Sequence, residues 1–147
     1  MTTTTLTTST PSRAEAIELA RAFLTTMDAH GDFFSLMTDD VSLTFPKWGT
    51  AHGKANLGPF FQALGSYVAA IRHRPETFQF LVGERDDQMR VCIEGLSEGR
   101  LQDGSAWTAA RFCVIYDFRG RLVSGIHIYI DPDYVDGTSQ HYPWKRA

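Results

Sequence analysis

The sequence is poor in several features that mark common classes of protein. It has two cysteines, Cys92 and Cys113, both inside predicted strands; they could be cross-strand neighbours, but two buried free thiols in a reducing compartment are the preferred interpretation. No apolar run reaches the roughly 20 residues that a membrane-spanning helix needs. The net charge is only −3, and the 14 lysines and arginines are scattered. We therefore expect no nucleic-acid partner and no membrane partner.

Motifs of metal and cofactor enzymes are also missing. The five histidines show neither a ligand spacing nor a Cys/His cluster; they are His30, His52, His73, His127 and His141. No glycine-rich phosphate loop follows a strand, and no serine stands at a strand-to-helix elbow. The sequence thus predicts no metal, no cofactor and no covalent hydrolase chemistry.

What the chain does contain is enough apolar material for one well-filled domain. It has 147 residues, of which 43% are hydrophobic and 12% aromatic, so a single core with an aromatic-walled pocket is expected. We place this domain at 13–136, between a disordered Thr-rich tail at 1–12 and a C-terminal tail at 137–147. The N-terminus lacks the basic start and apolar stretch of a secretion signal, so a cytoplasmic location is expected.

Three helices are predicted in the first half of the chain. Ser12 and Glu15 form a capping box, and apolar residues then recur at helical spacing up to Gly31. Asp32 is expected to cap a short second helix, and a third runs from about 55 to 73. Asp28, near the end of the first helix, is a poor partner for the helix dipole there. It indicates either a local role or an exposed acid without function.

Strands dominate the second half. A first strand is predicted at 41–45 and is followed by an irregular loop, and another strand is predicted at 77–82. Three long β-rich runs then follow at 89–101, 105–118 and 121–131, joined by short turns, and Gly120 supplies the positive φ of the last turn. This order predicts an α+β fold: a cone-shaped, strongly curved, mostly antiparallel sheet wrapped around about three N-terminal helices.

The residues HGDFFSLMTDDVSLTFP, HGKANLGPFF and YDFRGRLVSGIHIYIDP carry a resemblance to a known group. In this order of elements the chain resembles the nuclear transport factor 2-like superfamily, which includes ketosteroid isomerases, SnoaL-type polyketide cyclases, limonene epoxide hydrolase and scytalone dehydratase. The resemblance covers most of the chain beyond Ser12. It implies the cone-shaped fold and says little about activity, because such a fold hosts many chemistries.

Compared with ketosteroid isomerases, the catalytic positions are occupied by apolar residues. The position of their general base, directly before the proline that ends the first strand, is Phe45. The positions of their second acid and of their helix tyrosine are Phe112 and Leu24. The resemblance therefore argues against isomerisation by that mechanism.

The same comparison predicts which side chains face the pocket. If Phe112 faces inward, so does Val114. Counting forward from Gly120 without a gap turns His127 and Tyr129 inward as well, and His127 then takes the place of a pocket aspartate in the limonene epoxide hydrolase resemblance. A one-residue shift would reverse this and turn Ile126, Ile128 and Ile130 inward.

Three residues are the catalytic candidates. His127 would move a proton near neutral pH, and Tyr129 would polarise an oxygen of the substrate. Glu94 is a candidate base if it faces the pocket; the preferred alternative is the outer face of the sheet, where it pairs with Arg111.

A further set is expected to bind the substrate. Trp48 would be buried over the pocket entrance, and His73 would close its mouth, unless His73 only complements the dipole of the third helix. The complete set is Phe45, Trp48, Phe60, Tyr67, His73, Phe112 and Val114.

These residues favour a cofactor-independent enzyme that performs acid–base chemistry on a hydrophobic, ring-containing small molecule, as an isomerase, dehydratase, cyclase or epoxide hydrolase would. The alternative is a non-catalytic domain for hydrophobic ligand binding or dimerisation. In the preferred register Ile126, Ile128 and Ile130 lie on the outer sheet face, which predicts a homodimer through that face.

Overall fold

The computed structural model describes residues 9–131 and 133–135. The predicted C-terminal tail and most of the predicted N-terminal tail lie outside these residues, so the domain limits stay predictions. Helix α1, Arg13–Asp28, begins with the expected capping box: Glu15 N donates to Ser12 Oγ (3.2 Å) and Ser12 N donates to Glu15 Oε2 (2.9 Å). Within the described ranges, no helix is long and apolar enough to cross a membrane.

Seven strands form one curved sheet. They are β1 Met37–Phe45, β2 Gly49–His52, β3 Val68–His73, β4 Gln79–Arg85, β5 Gln88–Leu101, β6 Ala106–Arg119 and β7 Leu122–Ile130. Their order is β2-β1-β7-β6-β5-β3, and β4 pairs with the other half of the long strand β5. Only the β1–β7 pair is parallel within this sheet. A second helix, α2 Lys54–Gly65, completes the α+β cone that the sequence predicted, with two α-helices in the described chain instead of about three.

The predicted third helix is only half helical. It ends at Gly65, and the residues from Val68 to His73 form strand β3 instead, paired with the far end of β5. The apolar spacing of this segment fits a helix, but the free edge of β5 supplies hydrogen bonds that a helix cannot use. The prediction was therefore wrong here, and the correction places His73 opposite Ser97 in the sheet.

Gly99 shows how tightly this edge of the sheet is packed. A Cβ atom there would lie 2.3 Å from the carbonyl oxygen of Ala70 and 2.5 Å from the ring of Trp107, so a side chain cannot fit. Trp107 in turn donates its indole Nε1–H to Ser97 Oγ (3.2 Å). These contacts hold β3, and with it His73, against β5.

Two shorter predictions also need correction. The segment after Asp32 forms a single 3-10 turn, Phe34–Leu36, because β1 already begins at Met37; Asp32 Oδ1 still accepts a hydrogen bond from Ser35 N (3.1 Å). The loop after β1 is not wholly irregular, since Gly49–His52 pairs with β1 as β2.

A β-bulge decides the orientation of the last strand. Phe118 pairs with Val123, but the next residue of β6, Asp117, pairs with Gly125, so Ser124 is the extra residue of β7. An extra residue inverts the side-chain alternation beyond it. The side chains beyond Ser124 therefore follow the shifted register that the sequence left open, with Ile126, Ile128 and Ile130 facing inward.

Candidate functional sites on the two faces of the sheet

The concave face of the sheet and the two helices enclose an apolar cavity. Its volume is about 300 Å³, at the lower end of the range typical of small-molecule sites. Its lining is mainly aromatic and aliphatic and includes Phe23, Leu24, Phe33, Leu43, Phe45, Phe60, Phe61, Phe112, Val114, Ile126, Ile128 and Ile130. An apolar cavity of this size suits a hydrophobic small molecule.

One histidine–aspartate pair lies in the wall of this cavity. Asp28 is the last residue of α1 and His73 is the last residue of β3. Asp28 Oδ1 lies 2.9 Å from His73 Nδ1, and Asp28 Oδ2 accepts a hydrogen bond from the His73 backbone N–H at 2.8 Å. The two side chains are only 12% and 9% exposed. The carboxylate therefore fixes both the position and the tautomer of the imidazole.

The other ring nitrogen of His73 remains available for chemistry. With Nδ1–H donating to Asp28, the neutral ring carries its lone pair on Nε2. Nε2 forms no hydrogen bond to any described residue. The ring of Phe112 packs edge-on against the imidazole, with the ring centres 4.5 Å apart. This arrangement is that of an oriented base in a dry environment.

Tyr116 adds a hydrogen-bond donor to the same cavity. It lies on β6, is 1% exposed, and packs against Phe23 with the ring centres 5.1 Å apart. Burial raises the pKa of its hydroxyl, and the negative charge of Asp28 raises it further. The phenol consequently stays protonated and can donate to an oxygen atom of a bound molecule.

Five of the predicted substrate-binding residues line the cavity, and two do not. The five are Phe45, Phe60, His73, Phe112 and Val114. Trp48 packs on Phe45 and Phe60 (ring centres 5.5 and 5.7 Å) but is 44% exposed, so its predicted burial was wrong. Tyr67 is also 44% exposed and lies outside the lining of the cavity.

The predicted catalytic residues do not face the cavity. The bulge turns His127 and Tyr129 to the convex face, and Tyr129 is 59% exposed. Glu94 is also on the convex face, where its Oε1 lies 3.4 Å from Arg111 Nη1, as the alternative interpretation expected. The predicted pocket placement of His127 and Tyr129 was wrong, whereas the preferred placement of Glu94, on the outer face beside Arg111, is confirmed.

On the convex face, His127 belongs to a second histidine–aspartate pair. Its Nε2 lies 2.9 Å from Asp117 Oδ2, and Asp117 also accepts two hydrogen bonds from Arg90, at 2.5 Å from Nε and 2.9 Å from Nη2. Burial alone would raise the pKa of Asp117, but the hydrogen bonds from Arg90 and His127 outweigh burial and hold that pKa below its usual value. Asp117 is thus a carboxylate saturated by two partners.

Glycine makes room for this second pair. A Cβ at position 125 would lie 2.9 Å from Asp117 Oδ2 and 3.4 Å from His127 Nε2. The pair borders a polar cleft of about 280 Å³. Its lining is Ser42, Arg85, Asp86, Gln88, Arg90, Asp117, Arg119, Ser124, Gly125 and His127.

The two cysteines are neighbours on the same convex face. Their Sγ atoms are 3.3 Å apart, both residues are half-buried, and both are free thiols. Burial, the contact with Cys92 and the charge of Glu94 raise the pKa of Cys113 to about 12. The preferred interpretation, two free thiols, agrees with this arrangement, and they are cross-strand neighbours as well.

The proposed basis for a homodimer also changes. Ile126, Ile128 and Ile130 line the cavity and do not form an outer apolar surface. A homodimer stays a prediction without that support. In the described part of the chain, no group of three or more His, Cys, Asp or Glu residues is arranged to hold a metal ion.

Both histidines were candidates from the sequence, whereas the aspartates that pair with them were hardly recognisable there. Asp28 gave a weak signal, as an acid at the wrong end of a helix, whereas Asp117 and Arg90 alternate with apolar residues and gave none. Tyr116 was hidden in the same way, as one more aromatic residue on an apolar strand face.

Comparisons with known proteins concern the fold. No protein-family model matches the sequence, and no curated protein does. A structure of an NTF2-like protein of unknown function from Burkholderia pseudomallei is 15% identical, with a TM-score of 0.69 over 80% of this chain and 91% of that one. TerC, crystallised with polyporic acid, is 20% identical, with a TM-score of 0.66 over 80% of this chain and 92% of its own. A candidate polyketide cyclase from Xanthomonas campestris is 14% identical, with a TM-score of 0.61 over 81% and 92%. The chain therefore has the fold of the nuclear transport factor 2-like superfamily.

Proposed function

We propose that the protein is a cofactor-independent enzyme that binds a hydrophobic, ring-containing small molecule in the concave cavity and moves a proton on it with His73. The observation that carries this proposal is the Asp28–His73 pair. Its imidazole is held in place by a carboxylate, its Nε2 has no hydrogen-bond partner among the described residues, and the wall around it is mainly apolar. The cytoplasmic location predicted from the sequence stays a prediction.

The roles of the groups follow from their chemistry. His73 Nε2 accepts a proton from a C–H or O–H group of the substrate, and Asp28 stabilises the imidazolium that forms. Tyr116 donates its hydroxyl hydrogen to the oxygen on which negative charge develops. The imidazolium then returns the proton to another atom of the substrate, which completes an isomerisation, or delivers it to a leaving hydroxyl, which completes a dehydration. Neither route needs an oxidant, a metal or a cofactor.

The apolar walls account for the substrate class. A ring of carbon atoms excludes water from the cavity and binds through aromatic contacts, while a few polar side chains of the lining, His73 and Tyr116 among them, can contact its oxygen atoms. Three proteins with this fold have names that point the same way: the candidate polyketide cyclase, a candidate isomerase from Bacillus subtilis, and TerC with its bound polyporic acid.

The test first identifies a ligand and then measures the turnover of that compound. Native mass spectrometry of the purified protein and thermal shifts against hydroxylated ring compounds identify a ligand, since a compound that binds only the folded state raises the melting temperature. The reaction of that compound is then followed with His73→Asn, which keeps a donor near Asp28 and removes Nε2. We expect kcat to fall about 100-fold or more.

His127→Asn is the matched control, because it makes the same change in the other histidine–aspartate pair. We expect its kcat to stay within about twofold of that of the unchanged protein, since His127 lies outside the cavity. A ligand that binds but yields no product with any variant would favour the non-catalytic binding domain. An equal fall in kcat in both variants would show that His73 has no specific role in the reaction.

A further inference from the structure

The polar cleft on the convex face is separate from the cavity and has no part in the proposed reaction. It is lined by three arginines, Arg85, Arg90 and Arg119, and by two aspartates, Asp86 and Asp117. Each arginine is paired with one aspartate, Arg85 with Asp86, Arg90 with Asp117 and Arg119 with Asp40 at the rim, so the formal charges of these pairs balance. What the cleft offers a ligand is therefore the N–H groups that its arginines leave unused, not an excess of positive charge.

The carboxylates in the cleft are already engaged. Asp117 accepts hydrogen bonds from Arg90 and lies beside His127 Nε2, and Asp86 pairs with Arg85 (3.6 Å). The oxygens of Asp117 are consequently poor ligands for an incoming cation, and Asp86 is an exposed side chain at the edge of the cleft.

The donors in the cleft are only partly engaged. Arg90 uses Nε and Nη2 for Asp117, which leaves Nη1, and Arg119 uses only Nη1 for Asp40 (3.0 and 3.1 Å) within the described chain. Gln88 accepts a hydrogen bond from Ser124 through Oε1 (3.2 Å), which leaves its amide N–H groups. A planar guanidinium with unused N–H groups is well suited to an oxyanion.

Asp117 has a positioning role in this arrangement. Its carboxylate fixes the Arg90 guanidinium and the His127 ring side by side, and Gly125 leaves the space that this carboxylate needs. A side chain at position 125 would displace Asp117 and with it the Arg90 guanidinium and the His127 ring. The bulge at Ser124 is what turns His127 to this face at all.

We propose that this cleft binds an oxyanion group, a phosphate or a carboxylate, of a small molecule. Its volume of about 280 Å³ leaves room for a molecule around the charged group. Arg90 contacts the oxyanion through Nη1 at the base of the cleft, and Arg119 contacts it at the rim.

The test is a titration followed by NMR. The ¹⁵N-labelled protein is titrated with inorganic phosphate and, separately, with succinate, at constant ionic strength so that screening does not change. The signals followed are the backbone amide of Gly125 and the Nε–H groups of Arg90 and Arg119. We expect saturable shifts at these groups, and the tighter of the two probes identifies the source as a phosphorylated molecule or a carboxylic acid.

Variants then locate the binding. Arg119→Gln removes the exposed side chain that contacts the oxyanion at the rim, and we expect it to weaken binding about tenfold, the effect of one charge-assisted hydrogen bond. Arg111→Gln is the matched control, because Arg111 is on the same face but outside the cleft. Shifts that never saturate, equal weakening by Arg111→Gln, or contacts between two copies of the chain at His127 would each overturn the proposal.

Discussion

The molecule contains the same pair of side chains twice, on opposite faces of one sheet. Asp28–His73 lies in an apolar wall without an arginine, whereas Asp117–His127 lies in a polar cleft beside Arg90. The pairing distance is 2.9 Å in both cases. The pair alone therefore does not define a catalytic group; its surroundings do.

The two surroundings differ in how far they neutralise the carboxylate of the pair. In the cavity, the carboxylate serves only the histidine, so its charge is available to stabilise an imidazolium in a medium of low dielectric constant. On the convex face, the guanidinium of Arg90 already neutralises the carboxylate and the cleft is open to water. The inner pair is suited to proton transfer on an apolar molecule, and the outer pair is suited to holding donors in place.

The largest effect is expected when a charge is placed on each face of β7 in turn. Ile126→Asp puts a charge in the cavity wall at a residue that is 3% exposed, and we expect a loss of at least about 3 kcal/mol in the free energy of unfolding. Tyr129→Asp, three residues away on the convex face, should cost less than about 1 kcal/mol. Urea denaturation measures both. The opposite ranking would mean that the bulge at Ser124 is absent.

A smaller effect comes from the outer pair. The pKa of Asp117 is lowered in the folded protein, so its carboxylate stabilises the fold above the unfolded pKa of about 3.9, and this stabilisation is lost as the pH falls through the lower folded value. Asp117→Asn should therefore cost about 1–2 kcal/mol at pH 7. The gap between the two proteins should narrow below about pH 4, as seen in denaturation at a series of pH values.

Glu94→Gln is the control for this pH series. Glu94 and Arg111 form an exposed pair on the same face, with side chains 56% and 82% exposed. Exposed pairs contribute little, so the change should stay below about 0.5 kcal/mol at every pH. A constant gap for Asp117→Asn across the whole series would show that its partners do not act through its charge.

The last prediction concerns the reactivity of Cys113 and not the stability of the fold. A pKa of about 12 at Cys113 leaves on the order of a thousandfold less thiolate at pH 8 than the ordinary value of 9.0 would. Alkylation of Cys113 by iodoacetamide, followed by peptide mass spectrometry, should be at least about a hundredfold slower in the native protein than in guanidinium. Equal rates would mean that the cysteine pair on the convex face is open to reagent.

The same two faces explain how much the sequence revealed. The capping box at Ser12, the meander and the cone-shaped sheet were predictable, because each depends on local patterns or on a whole run of residues. The aromatic wall at Phe45, Phe60 and Phe112 was predictable for the same reason. The orientation of the side chains beyond Ser124 was not predictable, because one extra residue in a bulge reverses the inward–outward alternation without any change in residue composition.

The inner pair was hidden by a different cause. Residues 68–73 carry helical spacing, and only the free edge of β5, a tertiary feature, makes them a strand. His73 therefore lies in the cavity wall at the end of a strand, whereas the sequence predicted it at the end of a helix. Asp28 and His73 are 45 residues apart, and nothing local in the sequence links them.

The most direct test of this account is a crystal structure with a bound ring compound that raises the melting temperature. We expect electron density for the ring in the concave cavity, with an oxygen within hydrogen-bonding distance of Tyr116 Oη and a reacting atom next to His73 Nε2. Density for that compound beside His127 on the convex face, or a cavity filled by its own side chains, would contradict it.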